Sequence, residues 1–128
     1  FSRLNKKQAL VFMGHGTTHF SNSIYAALDY AFKDKGHPNI FLATVEAYPS
    51  IDSLKRLVDA YKPEEIVLAP FMIVAGDHAK NDMAGDDPDS WYNKFKAAGY
   101  KVTPILKGLG EYRGIQELFV EHLKTIEQ

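Results

Sequence analysis

The feature that most constrains this chain is an alternation. Short, continuously apolar runs end in glycine or proline, and each is followed by a longer stretch with apolar residues at helical spacing. Ala9-Leu10-Val11-Phe12-Met13 is the first run, and Gly14-His15-Gly16-Thr17 turns the chain after it. A strand with no polar alternation is one covered on both faces, which is the condition of a parallel strand. Parallel neighbours need crossover connections, so the stretch from Asn22 to Lys35, with Ile24, Tyr25, Leu28, Ala31 and Phe32 on one side, reads as a crossover helix stopped by Gly36.

The same grammar continues along the chain. A second strand is predicted from Ile40 to Glu46, and Pro49 and Ser50 then open a helix whose Ile51, Leu54, Leu57, Val58 and Tyr61 recur until Pro63. Glu65 to Pro70 is the third strand. Phe71 to Val74 follows, and Gly76-Asp77-His78 leads into a short helix. Asp86-Asp87-Pro88-Asp89-Ser90 supplies an acidic cap and Pro at the first helical position, predicting a helix from Pro88 to Ala98 with Gly99 as its stop. Lys101 to Ile105 is the fourth strand. A last helix from Arg113 to Glu127 would bury Ile115, Leu118, Phe119, Leu123 and Ile126. The expectation is one α/β domain over residues 1–128, three-layered and doubly wound, with a four-stranded parallel sheet.

Composition narrows the chemistry. The chain has 128 residues, 15 Lys and Arg against 16 Asp and Glu, five His and no Cys. Without cysteine there is no disulfide, thiolate nucleophile or iron–sulfur cluster, and any metal is held by nitrogen and oxygen. A net charge of -1 without a basic run gives no phosphate-neutralising surface, so no nucleic-acid partner is expected. The apolar runs fall far short of the roughly 20 residues that cross a bilayer, so no membrane role is expected either.

Ligands of open α/β sheets bind beyond the carboxyl ends of the strands. Three reactive side chains fall there: His15 after strand one, Glu46 at the end of strand two, and His78 after strand three. Their intervals of 31 and 32 residues are each about one βα unit, so the three can line one rim. Two imidazoles and a carboxylate suit a divalent first-row metal and leave coordination positions open for a substrate. Gly14 and Gly16 flank His15 and let a flat ligand approach the backbone. Each of the three also has a plainer reading: a loop anchor for His15, a strand-end carboxylate for Glu46, a helix cap for His78. His19 is at most an outer-sphere group, His37 precedes Pro38 in a turn, and His122 lies in the apolar stripe of the last helix. Trp91, Tyr92 and Phe95 read as core.

Other site classes lack their residues. Gly14-His15-Gly16-Thr17-Thr18-His19 misses the third glycine of a dinucleotide loop, no G-x-S-x-G elbow or Walker loop occurs, and a histidine phosphatase would need Arg where Gly14 stands.

Four strings together carry a resemblance: Val11 to Gly16, Val45-Glu46-Ala47-Tyr48-Pro49, Ala69 to Met83 with its Val-Ala-Gly-Asp-His-Ala-Lys-Asn-Asp-Met core, and Gly108-Leu109-Gly110-Glu111. The chain resembles the carboxyl-terminal half of the anaerobic sirohydrochlorin cobaltochelatases, class II chelatases of the cobalamin pathway. The resemblance implies ATP-independent insertion of Co2+ into sirohydrochlorin or its precorrin form. It implies His15, Glu46 and His78 as metal-binding and catalytic residues, with no cofactor beyond the substrate metal. Fe2+, Ni2+ and Zn2+ would fit the same donor set. It further implies a cytoplasmic enzyme and a partner for this half, either an amino-terminal half ahead of Phe1 or a second copy in a homodimer. The alternative reading is a metal or tetrapyrrole carrier without catalysis.

Overall fold

A computed structural model describes residues 4–17, 22–72, 76–113 and 116–117. The first strand, β1, spans Gln8–Gly14 and is flanked by β2 (Ile40–Thr44) and β3 (Glu65–Pro70). β4 (Lys101–Pro104) completes a sheet of order β2-β1-β3-β4 in which every pair is parallel. Helix α1 is Ser23–Asp34, α2 is Ile51–Tyr61, α3 is Asp77–Ala84 and α4 is Trp91–Ala97.

The period of two in the strands decides the layering. Ala9, Val11 and Met13 of β1 point to a core shared with Leu54 and Val58 of α2, Met83 of α3, and Trp91 and Phe95 of α4. Leu10 and Phe12 point the other way, to Tyr25, Leu28 and Phe32 of α1. Helices thus cover both faces, which is why β1 and β2 carry no polar alternation, whereas the edge strand β4 alternates. The chain turns left from β1 to β2 through α1 and right from β3 to β4 through α3 and α4. The connections therefore part between the carboxyl ends of β1 and β3, which opens the binding crevice of a doubly wound sheet there.

The edge strand β2 is closed by α1. Asp29 Oδ1 accepts the outward Leu42 N–H at 2.9 Å, and Lys33 Nζ donates to the Ile40 carbonyl at 2.7 Å and to Asp29 at 2.9 Å. One helical ion pair satisfies two backbone groups that would otherwise invite another strand.

Several expectations change. Ile24 and Leu57, assigned to buried helical faces, are 54% and 51% exposed. β2 ends at Thr44, so Glu46 lies two residues past the strand rather than at its end. β4 stops at Pro104. The fourth helix begins at Trp91 rather than Pro88, because Asp87 spends its carboxylate on the Asp89 N–H at 2.7 Å while Ser90 Oγ accepts the Asn93 N–H and caps the helix. The last helix, from Arg113 to Glu127, lies almost entirely outside the described residues, as do His19 and His122. Among the described residues no helix is long and apolar enough to cross a membrane.

α2 and the start of β4 are tied by Tyr100 Oη donating to Asp59. Burial, and then the hydrogen bond to and charge of Asp59, push the Tyr100 phenol from 10.0 up to about 12. A phenol whose folded pKa is raised stabilises fully below its unfolded value and loses that contribution as pH rises through the folded one. Thermal stability is therefore expected to fall between pH 10 and 12, and Tyr100→Phe should flatten that alkaline limb in a melting series. An identical limb in the variant would exclude Tyr100 as its source.

Candidate active site

The rim above β1 and β2 is built by carrying the sheet's hydrogen bonding past the strand ends. Val45 N–H donates to the Gly14 carbonyl at 3.0 Å and Glu46 N–H to the His15 carbonyl at 3.1 Å, so the two post-strand segments run side by side and set His15 beside Glu46. The chain after β2 is then bent by Thr44. Its hydroxyl donates to the Pro49 carbonyl and accepts the Ala47 N–H, both at 3.1 Å. This turn ends the strand early and lifts Glu46 to the surface.

The glycines have separate jobs. A Cβ on Gly14 would run into the ring of Tyr25, whose hydroxyl accepts the Gly16 N–H at 3.5 Å. Gly16 has φ of +87°, and a Cβ there would sit 2.9 Å from Thr44 Cβ and 3.1 Å from the Ala47 nitrogen. Only glycine combines that backbone with that closeness. Asn22 links the two loops, its Oδ1 accepting the Thr17 N–H at 2.9 Å and its Nδ2 donating to the Tyr48 carbonyl at 2.6 Å.

His15 Nδ1 lies 2.9 Å from the Gly16 carbonyl oxygen and 3.5 Å from Glu46 Oε2. A carbonyl only accepts, so Nδ1 carries the hydrogen and the lone pair of the neutral ring is on Nε2. Among the described residues Nε2 has no hydrogen-bond partner. Both side chains are open to solvent, 65% and 62% exposed, so the contact adds little to stability. What it gives is an oriented imidazole, with the carboxylate on its Nδ1 side and Nε2 left as the donor atom, the arrangement by which metal-ligating histidines are fixed.

The site expectations divide accordingly. The structure brings together His15, Glu46, Gly14 and Gly16. His78 is the second residue of α3, on the segment that leaves β3 across the crevice, and its side chain lies outside the described residues. Among the described residues no three metal-ligating side chains cluster; His15 and Glu46 are the pair brought together. Thr44, Asn22 and the Gly16 carbonyl were not legible as site builders. The one available signal was Thr44, a polar residue closing an otherwise apolar strand.

Comparison with known proteins adds a second line. Residues 1–128 match the family described as cobalt chelatase (CbiK). The sirohydrochlorin cobaltochelatase of Salmonella typhimurium is 45% identical over 123 residues, covering 94% of this chain and 45% of that protein. The sirohydrochlorin cobaltochelatase CbiKC of Nitratidesulfovibrio vulgaris is 35% identical over 116 residues, covering 91% of this chain and 41% of that protein. The chain thus spans less than half the length of these relatives. A crystal structure from Marinobacter aquaeolei VT8, described as a cobalamin (vitamin B12) biosynthesis CbiX protein, superposes with a TM-score of 0.63 at 17% identity, covering 92% of this chain and 98% of that one. That likeness establishes a shared fold.

Proposed function

The chain belongs to the cobalt chelatase (CbiK) family, and on that premise we propose that it serves, in the cytoplasm, in inserting Co2+ into sirohydrochlorin with His15, Glu46 and His78 as the working residues. The observation that carries this reading is the oriented His15–Glu46 contact at the carboxyl rim, on the loop that Gly14 and Gly16 allow to pack against Tyr25 and Thr44.

Insertion exchanges two pyrrole N–H protons for one divalent ion. The site must hold the metal and then take protons. A neutral imidazole has one lone pair and cannot do both at once, so the steps are ordered. His15 Nε2 and the Glu46 carboxylate bind the ion, the ring nitrogens draw it away, and the vacated Nε2 accepts a pyrrole proton. The imidazolium so formed has Glu46 Oε2 3.5 Å from its Nδ1, which offsets the new charge. His78, the second residue of α3, is assigned as the second ligand and proton acceptor. No ATP is needed, because coordination by four ring nitrogens drives the exchange. Fe2+, Ni2+ and Zn2+ suit the same donors, with cobalt the substrate metal that the family description names.

The domain acts with a partner of its own kind, either a second α/β half in the same polypeptide or a second copy. This is supported by the coverage of 45% and 41% of the curated relatives. The exposed Tyr48 and Leu57, which line a groove with Ala26, Leu42, Pro49 and Leu54 and the polar Asp29 and Ser53, offer such a partner a mainly apolar surface. Absorbance of sirohydrochlorin mixed with Co2+ tests the reading, for this chain and for the complete natural polypeptide containing it. Turnover is expected in the complete polypeptide. Tight binding of metal and tetrapyrrole with no turnover there would make the protein a carrier.

A further inference from the structure

The carboxyl rim continues beyond the His15–Glu46 pair. Phe71 N–H donates to the Met13 carbonyl at 2.8 Å, Ile105 N–H to Leu68 at 2.7 Å and Leu109 N–H to Met72 at 2.6 Å, so the segment after β4 is laced to the segment after β3 and both belong to the same edge. A single 3₁₀ turn at Leu109–Glu111 is closed by Gly108 N–H donating to Glu111 Oε2 at 2.7 Å. At the head of this turn stands Lys107, exposed, with Nζ 4.2 Å from the centroid of the Tyr112 ring.

The cation that follows it in the chain after the turn, Arg113, is paired with Glu117 at 3.0 Å. Among the described residues Lys107 has no carboxylate within ion-pair distance. An aromatic face restrains an ammonium without neutralising it, so Lys107 keeps a whole positive charge at a fixed place on the rim. Lys107 follows the end of β4 and His15 follows the end of β1, two strand spacings away across β3, which is about 10 Å along the rim. A macrocycle centred over His15 would carry its outermost groups to that distance. In sirohydrochlorin those groups are acetate and propionate carboxylates.

We propose, resting on the chelatase reading, that Lys107 binds a peripheral carboxylate of the tetrapyrrole and so fixes the macrocycle's orientation over the metal-holding pair. Lys107 is then a substrate-selecting residue, favouring tetrapyrroles whose rims are carboxylated over those with apolar rims. Its contact is a charge-assisted hydrogen bond, made alike in the ground and transition states, so its loss shows in binding rather than in the insertion step.

The test is fluorescence titration of the complete natural polypeptide with uroporphyrin, a porphyrin with acetate and propionate arms, alongside Co2+ binding. Lys107→Ala should raise the uroporphyrin Kd about tenfold, Lys107→Arg should stay within about twofold, and Co2+ affinity should be unchanged in both. A wild-type Kd in Lys107→Ala overturns the Lys107 contact and leaves the chelatase reading standing. Equal loss in the Ala and Arg variants together with weakened Co2+ binding overturns it in favour of a structural role. Failure of the unaltered protein to bind uroporphyrin while it turns over sirohydrochlorin overturns the Lys107 contact and leaves the chelatase reading standing, and failure of both overturns both readings.

Discussion

Replacing His15 with alanine is expected to lower cobalt insertion by at least about 100-fold, the loss typical of a positioned acid–base group. On the ordered exchange, His15 contributes twice, as ligand and then as proton acceptor, and His78 is already committed to its own share of both. The fold should not register the change. The side chain is 65% exposed and packs against nothing in either core, so the melting curve should move by no more than about 0.5 kcal/mol. Steady-state absorbance of sirohydrochlorin with Co2+ reads the first effect and circular dichroism the second. Acidification should mimic the variant reversibly, because protons and metal compete for the same nitrogen.

Gly16→Ala is the second large effect, and it reaches the same chemistry through the backbone. The added methyl meets Thr44 Cβ at 2.9 Å and the Ala47 nitrogen at 3.1 Å, both parts of the turn that presents Glu46. The left-handed backbone, φ +87°, costs alanine about 1–2 kcal/mol more. Relief requires the Gly16 carbonyl to move, and that carbonyl holds His15 Nδ1. Insertion should therefore fall on the order of 100-fold, as for misplacements near 1 Å, with a measurable drop in stability. The two variants differ in signature: His15→Ala loses activity alone, Gly16→Ala loses activity and stability together. An alanine at position 16 with normal turnover would show that the tautomer-fixing contact is dispensable.

The fold was legible because its signals are collective. Three apolar runs without alternation, in β1, β2 and β3, specify parallel strands, and the helical spacings between them specify crossovers, whatever the individual residues do. Exposure was less legible. Ile24 and Leu57 recur at the right spacing, but periodicity reports the direction of a side chain and says nothing about whether another element covers it. The start of α4 failed for a different reason. Asp87 and Ser90 both suit a helix cap, and the choice between them is made by the Pro88–Asp89 turn rather than by propensity.

The site was legible as positions and not as geometry. Strand-end placement gave His15 and Glu46 as neighbours across β1 and β2, which the ladder beyond Gly14 and Thr44 realises. Nothing local in the sequence indicates that the Gly16 carbonyl would choose the imidazole's tautomer, since that contact depends on a backbone dihedral set by packing against Thr44. Likewise Lys107 has no motif of its own. Its seat on Tyr112 exists only once the Gly108–Glu111 turn has formed.

The central claim, that His15 presents Nε2 to the substrate metal beside Glu46, is tested most directly by X-ray absorption of the Co2+-loaded protein compared with its His15→Ala variant. The expected result is imidazole nitrogen and carboxylate oxygen around cobalt in the unaltered protein, with one imidazole fewer and weaker binding in the variant. Identical cobalt environments and affinities in the two proteins would contradict it.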